Sequence, residues 1–151
     1  MHVAATLQAV VDRLIAELPT RYGVGNCFVN ITDIPLAQIG KAYAEVTYGG
    51  SAFSHEDGGN LGRTWTLVIS MHEICASEEV GKNAQTVKDT LNDALEVVKL
   101  FHLWINQTLM AQGMRIKSES PPRSVPGNRG EVVIEQRYEV MSVATFEELT
   151  A

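Results

Sequence analysis

Cysteine and long apolar segments are scarce in this chain. The 151 residues include two cysteines, Cys27 and Cys75, which are too few for a disulfide framework and lie beside apolar residues. We expect both thiols to be reduced, because cysteine in such surroundings usually packs as a small buried hydrophobe. No apolar run approaches the roughly 18 residues that cross a bilayer, and the N-terminus lacks a basic stretch followed by an apolar core. The sequence therefore predicts a cytoplasmic origin and no contact with a membrane.

Basic residues are outnumbered by acidic ones. The chain has 12 Lys and Arg against 18 Asp and Glu, which gives a net charge of −6. A nucleic-acid-binding surface needs clustered Lys and Arg, so this balance argues against specific binding of DNA or RNA. The hydrophobic content of 45% and the charged content of 20% are ordinary for a globular protein. A chain of this length is large enough to bury a core in one domain, residues 1–151, without metal or disulfides.

Motifs of known catalytic chemistry are also missing. No serine lies in a nucleophile-elbow motif, and no glycine-rich run matches a phosphate-binding loop. The pair His72-Glu73 does not extend to the zinc motif HExxH, because Ala76 occupies the position of the second histidine. Two alternatives stay open. One is a small cytoplasmic enzyme, with or without a metal, that uses His55, Asp57, His72 and Glu73, whose residue types suit zinc. The other is a generic accessory domain of a larger complex.

Two segments have the periodicity of helices. In residues 81–105 and the preceding valine, apolar side chains recur at alternating spacings of four and three, and charged side chains fill the other side. This pattern predicts an amphipathic helix that lies on a sheet and carries no chemistry. Its apolar positions are Val80, Ala84, Val87, Leu91, Ala94, Val98, Phe101 and Ile105, widened by Leu95 and Leu100. Residues 3–18 predict a second helix, which Pro19 ends.

Strand periodicity predicts a first hairpin over residues 42–73. Its second strand, residues 63–73, alternates most clearly, with one face formed by Trp65, Leu67, Ile69 and Met71. Its first strand contains the pair Gly49-Gly50, which indicates a bulge or a sharp bend. The polar, glycine-rich residues 54–62 are expected to form a flexible loop between the two strands.

The C-terminal third predicts a second strand pair. Residues 113–118 and 131–143 alternate, whereas residues 119–130 hold three of the five prolines and are expected to form a long exposed loop. Residues 146–151 are expected to be a frayed tail. Together with a short strand at residues 27–31, this order favours an α+β fold, with a mostly antiparallel, mixed sheet and two helices packed on it.

Long loops, together with strands that carry Tyr43, Tyr48, Trp65 and Tyr138, indicate binding to other proteins. Residues 54–62 and 119–130 are long loops for a domain of this size, and long loops are usually functional or disordered. On the final strand, Glu135, Arg137 and Glu139 share one face, which is typical of a solvated or intersubunit charge ladder. The candidate interface residues are Ser54, His55, Glu56, Asp57, Arg123, Arg129, Glu135, Arg137 and Glu139.

The order of these elements resembles that of a known family. A helix near the start is followed by a strand pair with a long glycine-rich hairpin, a helix that ends in a Leu/Trp cluster, and a loop-linked strand pair. This layout is similar to the tail terminator (tail completion) proteins of tailed bacteriophages, particularly the Mu-like and lambda-like ones. The resemblance covers residues 3–143 and is carried mainly by residues 63–72, 87–104 and 131–141.

The resemblance implies a subunit of a homohexameric ring that is assembled in the host cytoplasm and located in the tail or neck of the virion. Such a ring would cap the finished tail tube, stop its polymerisation and join it to the head-neck connector protein. The partners would be other copies of the chain, the tail tube protein and the connector protein, while DNA would pass through without specific binding. Members of the family are not enzymes and need no cofactor or metal, so the resemblance carries over no catalytic residue.

Overall fold

The computed structural model describes residues 3–23, 25–30, 42–74, 80–102, 104, 111–124 and 131–151. The elements in chain order are helix α1 (Val3–Glu17), strands β1 (Cys27–Val29) and β2 (Tyr43–His55), a 3-10 turn (Asp57–Gly59), strand β3 (Leu61–Ile74), helix α2 (Val80–Phe101), strands β4 (Ala111–Glu119), β5 (Arg123–Ser124) and β6 (Glu131–Ala144), and helix α3 (Phe146–Thr150). No helix within these ranges is long and apolar enough to span a membrane.

The described strands form one mixed sheet. Five strands lie in the order β1-β2-β3-β6-β4, and the two-residue β5 pairs with β6. Strand β1 runs parallel to β2, and the other pairs are antiparallel. This arrangement confirms the predicted α+β fold. The bulge predicted at Gly49-Gly50 is also confirmed, because the register between β2 and β3 shifts between Tyr48 and Ser51.

The core lies between one face of the sheet and helices α1 and α2. The predicted apolar face of β3 is confirmed, because each of its four residues is at most 3% exposed: Trp65, Leu67, Ile69 and Met71. These side chains belong to the same buried cluster as Leu7, Val10, Val11 and Leu14 of α1 and Ala94, Val97 and Phe101 of α2. The helix residues repeat at spacings of three and four, which brings each set to one side of its helix.

The β2–β3 hairpin is longer than the sequence predicts. Residues 54–62 were expected to form a flexible loop, but Ser54 pairs with Gly62 and His55 pairs with Leu61. The turn is confined to the few residues between the strands, where Gly58 and Gly59 have φ of 75° and 77° and so allow a tight reversal. The prediction was wrong because this part of the hairpin is largely exposed on both faces, so it has no apolar alternation to reveal it.

The buried face of α2 also differs from the prediction. The sequence placed Leu91 and Leu95 on the apolar stripe, yet they are 39% and 53% exposed. Ala94 and Phe101 of the predicted stripe are buried as predicted, and Thr90 and Val97 are buried beside them. A threonine can occupy this face because its hydroxyl donates to the carbonyl oxygen of Thr86 at 2.9 Å, which satisfies the polar group inside the helix.

Helix α2 ends at Phe101, four residues earlier than predicted. The backbone of Trp104 then forms an isolated bridge with Met114, whose N–H donates to the Trp104 carbonyl oxygen at 2.8 Å. A strand pairing of this kind is incompatible with a continuing helix. Ile105 and the turn predicted around residues 106–108 lie outside the described residues.

Two predictions near the C-terminus are corrected. The segment 119–130, expected to be irregular throughout, contains β5, while residues 125–130 lie outside the described part of the chain. Residues 146–151 were expected to fray, but α3 occupies them up to Thr150. The reason is a helix cap, since the Thr145 side chain accepts a hydrogen bond from the Glu148 N–H at 3.3 Å.

Candidate functional site

The four residues of the metal-enzyme alternative do not come together. His55 lies opposite Leu61 at the tip of the hairpin, and His72 is eleven residues further along β3, which is about 36 Å at the rise of a strand. The side chain of Glu73 emerges on the opposite face from His72 and contacts Arg21 at 2.8 Å. Among the described residues, no group of three or more His, Cys, Asp or Glu side chains is arranged to hold a metal ion.

His72 instead belongs to a buried polar cluster, which we call the His72 cluster and which contains Asn30, Tyr43, Glu45, His72 and Glu131. The ring nitrogen Nδ1 of His72 lies 2.8 Å from Oε1 of Glu131, and Nε2 lies 2.7 Å from Oε2 of Glu45. The Tyr43 hydroxyl donates to Glu131 Oε1 at 2.8 Å, and Asn30 Nδ2 donates to Glu45 Oε1 at 2.9 Å. The Tyr43 and His72 rings stack with centroids 4.2 Å apart.

Hydrogen bonds join the members of the cluster. An imidazole with a single N–H can donate to one carboxylate only, so two carboxylate contacts require a second proton on the ring or on a carboxyl group. Burial alone would raise the pKa of Glu45, but hydrogen bonds from His72 and Asn30 lower it below its ordinary value of 4.5. Burial and the hydrogen bond to Glu131 raise the pKa of Tyr43 above its ordinary value of 10.0.

Sequence reasoning did not find this cluster because its members come from distant parts of the chain. Tyr43 and Glu131 are 88 residues apart and meet because Tyr43 and His72 are partners across β2 and β3, while Glu131 begins the neighbouring strand β6. The only sequence signal was that His72 and Ser70 share a face of β3. The sequence placed both on the face opposite Trp65, and the structure shows that they are buried there, each 7% exposed.

A second polar cluster joins three elements around Arg21, in the segment between α1 and β1. Its guanidinium contacts Glu73 of β3 at 2.8 Å and Asp93 of α2 at 2.6 Å. The same group lies 5.5 Å from the centre of the buried Tyr22 ring. Burial raises the pKa of Asp93, and the charge of Arg21 offsets only part of that rise. These contacts connect the helical layer to the sheet, so the cluster has a structural role.

The predicted charge ladder on β6 is present and is paired within the chain. Glu135 contacts Arg123 at 2.5 Å and Arg137 at 3.7 Å, and Glu139 contacts Lys117 at 3.3 Å. The side chains of Arg123 and Arg137 are each about half exposed. Their ion pairs therefore contribute little to folding stability. Of the candidate interface residues, Arg129 lies outside the described part of the chain.

The remaining candidate residues lie at the exposed hairpin tip. Ser54, His55, Glu56 and Asp57 are all exposed, and the Ser54 hydroxyl donates to Glu56 Oε1 at 2.6 Å. Sequence reasoning missed their most apolar neighbour, Phe53, which is 58% exposed.

Two further contacts shape this tip. The Arg63 guanidinium lies 5.2 Å from the centre of the Phe53 ring and 5.9 Å from that of Tyr48. At the turn, the Asn60 side chain accepts a hydrogen bond from the Phe146 N–H at 2.9 Å and so connects α3 to the hairpin. The tip therefore presents aromatic and basic groups to solvent on an ordered strand pair.

Comparison with models of known protein families found no matching family, and comparison with curated proteins found no related sequence. The functional argument therefore depends on the geometry of the chain and on the order of its elements. Two features of the described residues bear on function, the buried His72 cluster and the exposed aromatic hairpin tip. These two places are at opposite ends of β3, because His72 lies near the end of that strand and the turn precedes its beginning.

Proposed function

We propose that the chain is a structural subunit of a bacteriophage tail terminator, which forms a ring on the tail tube and ends its polymerisation. The observation that carries the proposal is the β2–β3 hairpin. Beyond Trp65, the last residue of β3 in the core cluster, β3 continues for four residues towards the turn, a length of about 13 Å. The facing part of β2 supports a role in protein contact, because residues 52–55 are exposed there and include the aromatic Phe53, while β3 is paired on its other side with β6.

The composition of the tip is that of a protein interface. Aromatic residues and arginine are enriched in the centres of protein–protein interfaces, and here Phe53, Tyr48 and Arg63 stand together on one exposed surface. Binding a partner would remove the exposed apolar area of Phe53 from contact with water, which favours association. We assign this surface to contact with the tail tube protein.

The remaining features are consistent with a ring around DNA. A net charge of −6 disfavours retention of DNA on the protein surface, so DNA would pass without specific binding. In the charge ladder of Glu135, Arg137 and Glu139, the exposed Arg137 can exchange partners at a boundary between subunits. The head-neck connector protein would bind on the face of the ring away from the tube.

The proposal is tested by tube assembly. Tail tube protein from the same virus is polymerised with and without this chain, and tube lengths are measured by electron microscopy. We expect shorter tubes that carry a ring at one end. The variant Phe53→Ser should lose this effect, whereas Glu17→Ala, at an exposed position at the end of α1, should retain it. Unchanged tube lengths without rings in the presence of the wild-type chain would overturn the proposal.

A further inference from the structure

Strand β2 has an open outer edge over its last five residues. Strand β1 covers this edge only as far as Val46, and in the described part of the chain residues 51–55 pair with β3 alone. We infer that these residues, which we call the β2 edge, bind one extended strand of a partner protein that carries an acidic side chain. The identity of that partner, the tail tube protein, rests on the proposed function, whereas the mode of binding does not.

Three residues of the β2 edge direct their backbone groups away from β3. The Glu56 N–H donates to the Asn60 carbonyl oxygen at 2.8 Å, so these two residues form a hydrogen-bonded pair beside the turn. Bonded and non-bonded pairs alternate along an antiparallel ladder, and the pairs of Ser51, Phe53 and His55 with β3 are therefore non-bonded. Their N–H and C=O groups point outwards, which is the template that an added strand needs.

The β2 edge lacks the side chains that usually protect a strand edge from pairing. Natural edges are often blocked by charged residues, especially lysine, or by proline. The other edge of the sheet, β4, fits this rule, because Arg115 and Lys117 are exposed on it. The β2 edge, with the sequence SAFSH, has no proline and no Lys, Arg, Asp or Glu, and four of its five residues are exposed. The contrast favours β2 as the edge that takes a partner strand.

Arg63 supplies the charge that selects an acidic partner. It lies opposite Phe53 and reaches over β2, because its Nε donates to the Ser51 hydroxyl at 2.9 Å and its Nη2 donates to the Tyr48 hydroxyl at 3.3 Å. Its other contacts are with aromatic rings, and no carboxylate of the described residues forms an ion pair with it. A guanidinium placed in this way at a sheet edge favours a carboxylate on the incoming strand.

The two faces of the β2 edge define the sequence that it recognises. Side chains of an added strand alternate between the faces of the sheet. On the face of Arg63, an acidic residue would lie beside Ser51 and an apolar residue beside Phe53, two positions apart on the incoming strand. On the other face, Ala52 and Ser54 are small and leave room for large side chains.

The first test measures binding of the full chain to assembled tail tubes of the same virus by cosedimentation. His55→Pro and His55→Ala both remove an exposed imidazole, but only proline removes the outward N–H. A partner carbonyl left without its donor should make His55→Pro bind about fivefold or more weakly than His55→Ala. Arg63→Gln should weaken binding by about fivefold or more, whereas the control Arg115→Gln, on the β4 edge, should bind normally.

The second test is amide hydrogen exchange of the wild-type chain, resolved by residue. In the free chain the outward N–H groups of Ser51, Phe53 and His55 should exchange fast, while those of Ala52 and Ser54, which face β3, should exchange slowly. With tail tubes added, the three outward N–H groups should become protected. This alternation decides the question even if His55→Pro melts below His55→Ala, because it needs no variant.

Different outcomes separate this inference from the proposed function. Tubes that bind the chain while the three outward N–H groups still exchange fast would overturn the inference and leave the terminator function standing. Equal binding of His55→Pro and His55→Ala, with equal melting temperatures, would overturn it as well. Protection of the same groups in the concentrated chain without tubes would show that a second copy occupies the edge, which also overturns it. Tubes that do not bind the chain would refute both proposals, whereas the predicted protection with unchanged tube lengths would support the strand contact and refute the terminator function.

Discussion

The substitution His72→Ala tests the physical account of the buried cluster. It removes the imidazole whose two nitrogens lie 2.8 Å and 2.7 Å from two carboxylates, while leaving both carboxylates in place. The side chain of Glu131 is 6% exposed and that of Glu45 is 15% exposed, so water can replace the lost contacts only in part. Breaking a buried ion pair by removing one partner costs about 3–5 kcal/mol, and we expect a loss of this size here.

The loss can be measured by urea unfolding. Trp65 is 3% exposed, so its fluorescence should change when the core opens to water. With a urea slope of about 2 kcal/mol per molar, the predicted loss moves the unfolding midpoint down by about 1.5–2.5 M. Since ordinary domains are stable by about 5–15 kcal/mol, the variant should still fold at low urea.

A matched variant separates unpaired charge from lost packing. Adding Glu45→Gln and Glu131→Gln to His72→Ala removes both carboxylate charges, so the triple variant should be more stable than the single one. The stack between the Tyr43 and His72 rings is missing from both variants and cancels in this comparison. A loss below about 1 kcal/mol for His72→Ala, or a triple variant less stable than the single one, would refute the reasoning.

Three further predictions concern single residues. Because the folded-state pKa of Glu45 lies below 4.5, the stability from its ionised form is present above that value and is lost as pH falls through the folded pKa. Glu45→Gln should therefore flatten the fall in melting temperature between about pH 5 and about pH 3; an equally steep fall would contradict this. Burial raises the pKa of Cys27 to about 12, so in the Cys75→Ser variant iodoacetamide should label Cys27 only after unfolding; rapid labelling of the native chain would contradict this. Gly50 has φ of 104° with no atom within 4 Å of an added Cβ, so Gly50→Ala should cost about 1–3 kcal/mol through backbone strain alone, and an unchanged melting temperature would count against it.

Helices and strands were predictable where buried apolar residues recur at a regular spacing in the sequence. Trp65, Leu67, Ile69 and Met71 recur at every second position because one face of β3 lies on the core, and this produced a correct strand. In α2 the helix was predicted correctly, and Ala94 and Phe101 of the predicted stripe are buried, but Leu91 and Leu95 are not. An apolar side chain such as Leu95 shows that a helix has an apolar flank, and only the position of the sheet decides whether that flank is covered.

The candidate sites were harder to predict, for two physical reasons. The outer part of the β2–β3 hairpin is held by backbone pairing between residues such as His55 and Leu61, and backbone hydrogen bonds leave no trace in side-chain hydropathy. The His72 cluster depends on strand register, which brings Tyr43 and Glu131 together across most of the chain. Register over such a separation is a property of the folded sheet.

The proposed closed ring can be tested by the native mass of the chain in solution. We would measure it by native mass spectrometry over a range of concentrations, alone and with tail tube protein. The account predicts a homohexamer of about 99 kDa, six times the chain mass of 16.5 kDa. A mass of 16.5 kDa under all of these conditions would contradict it.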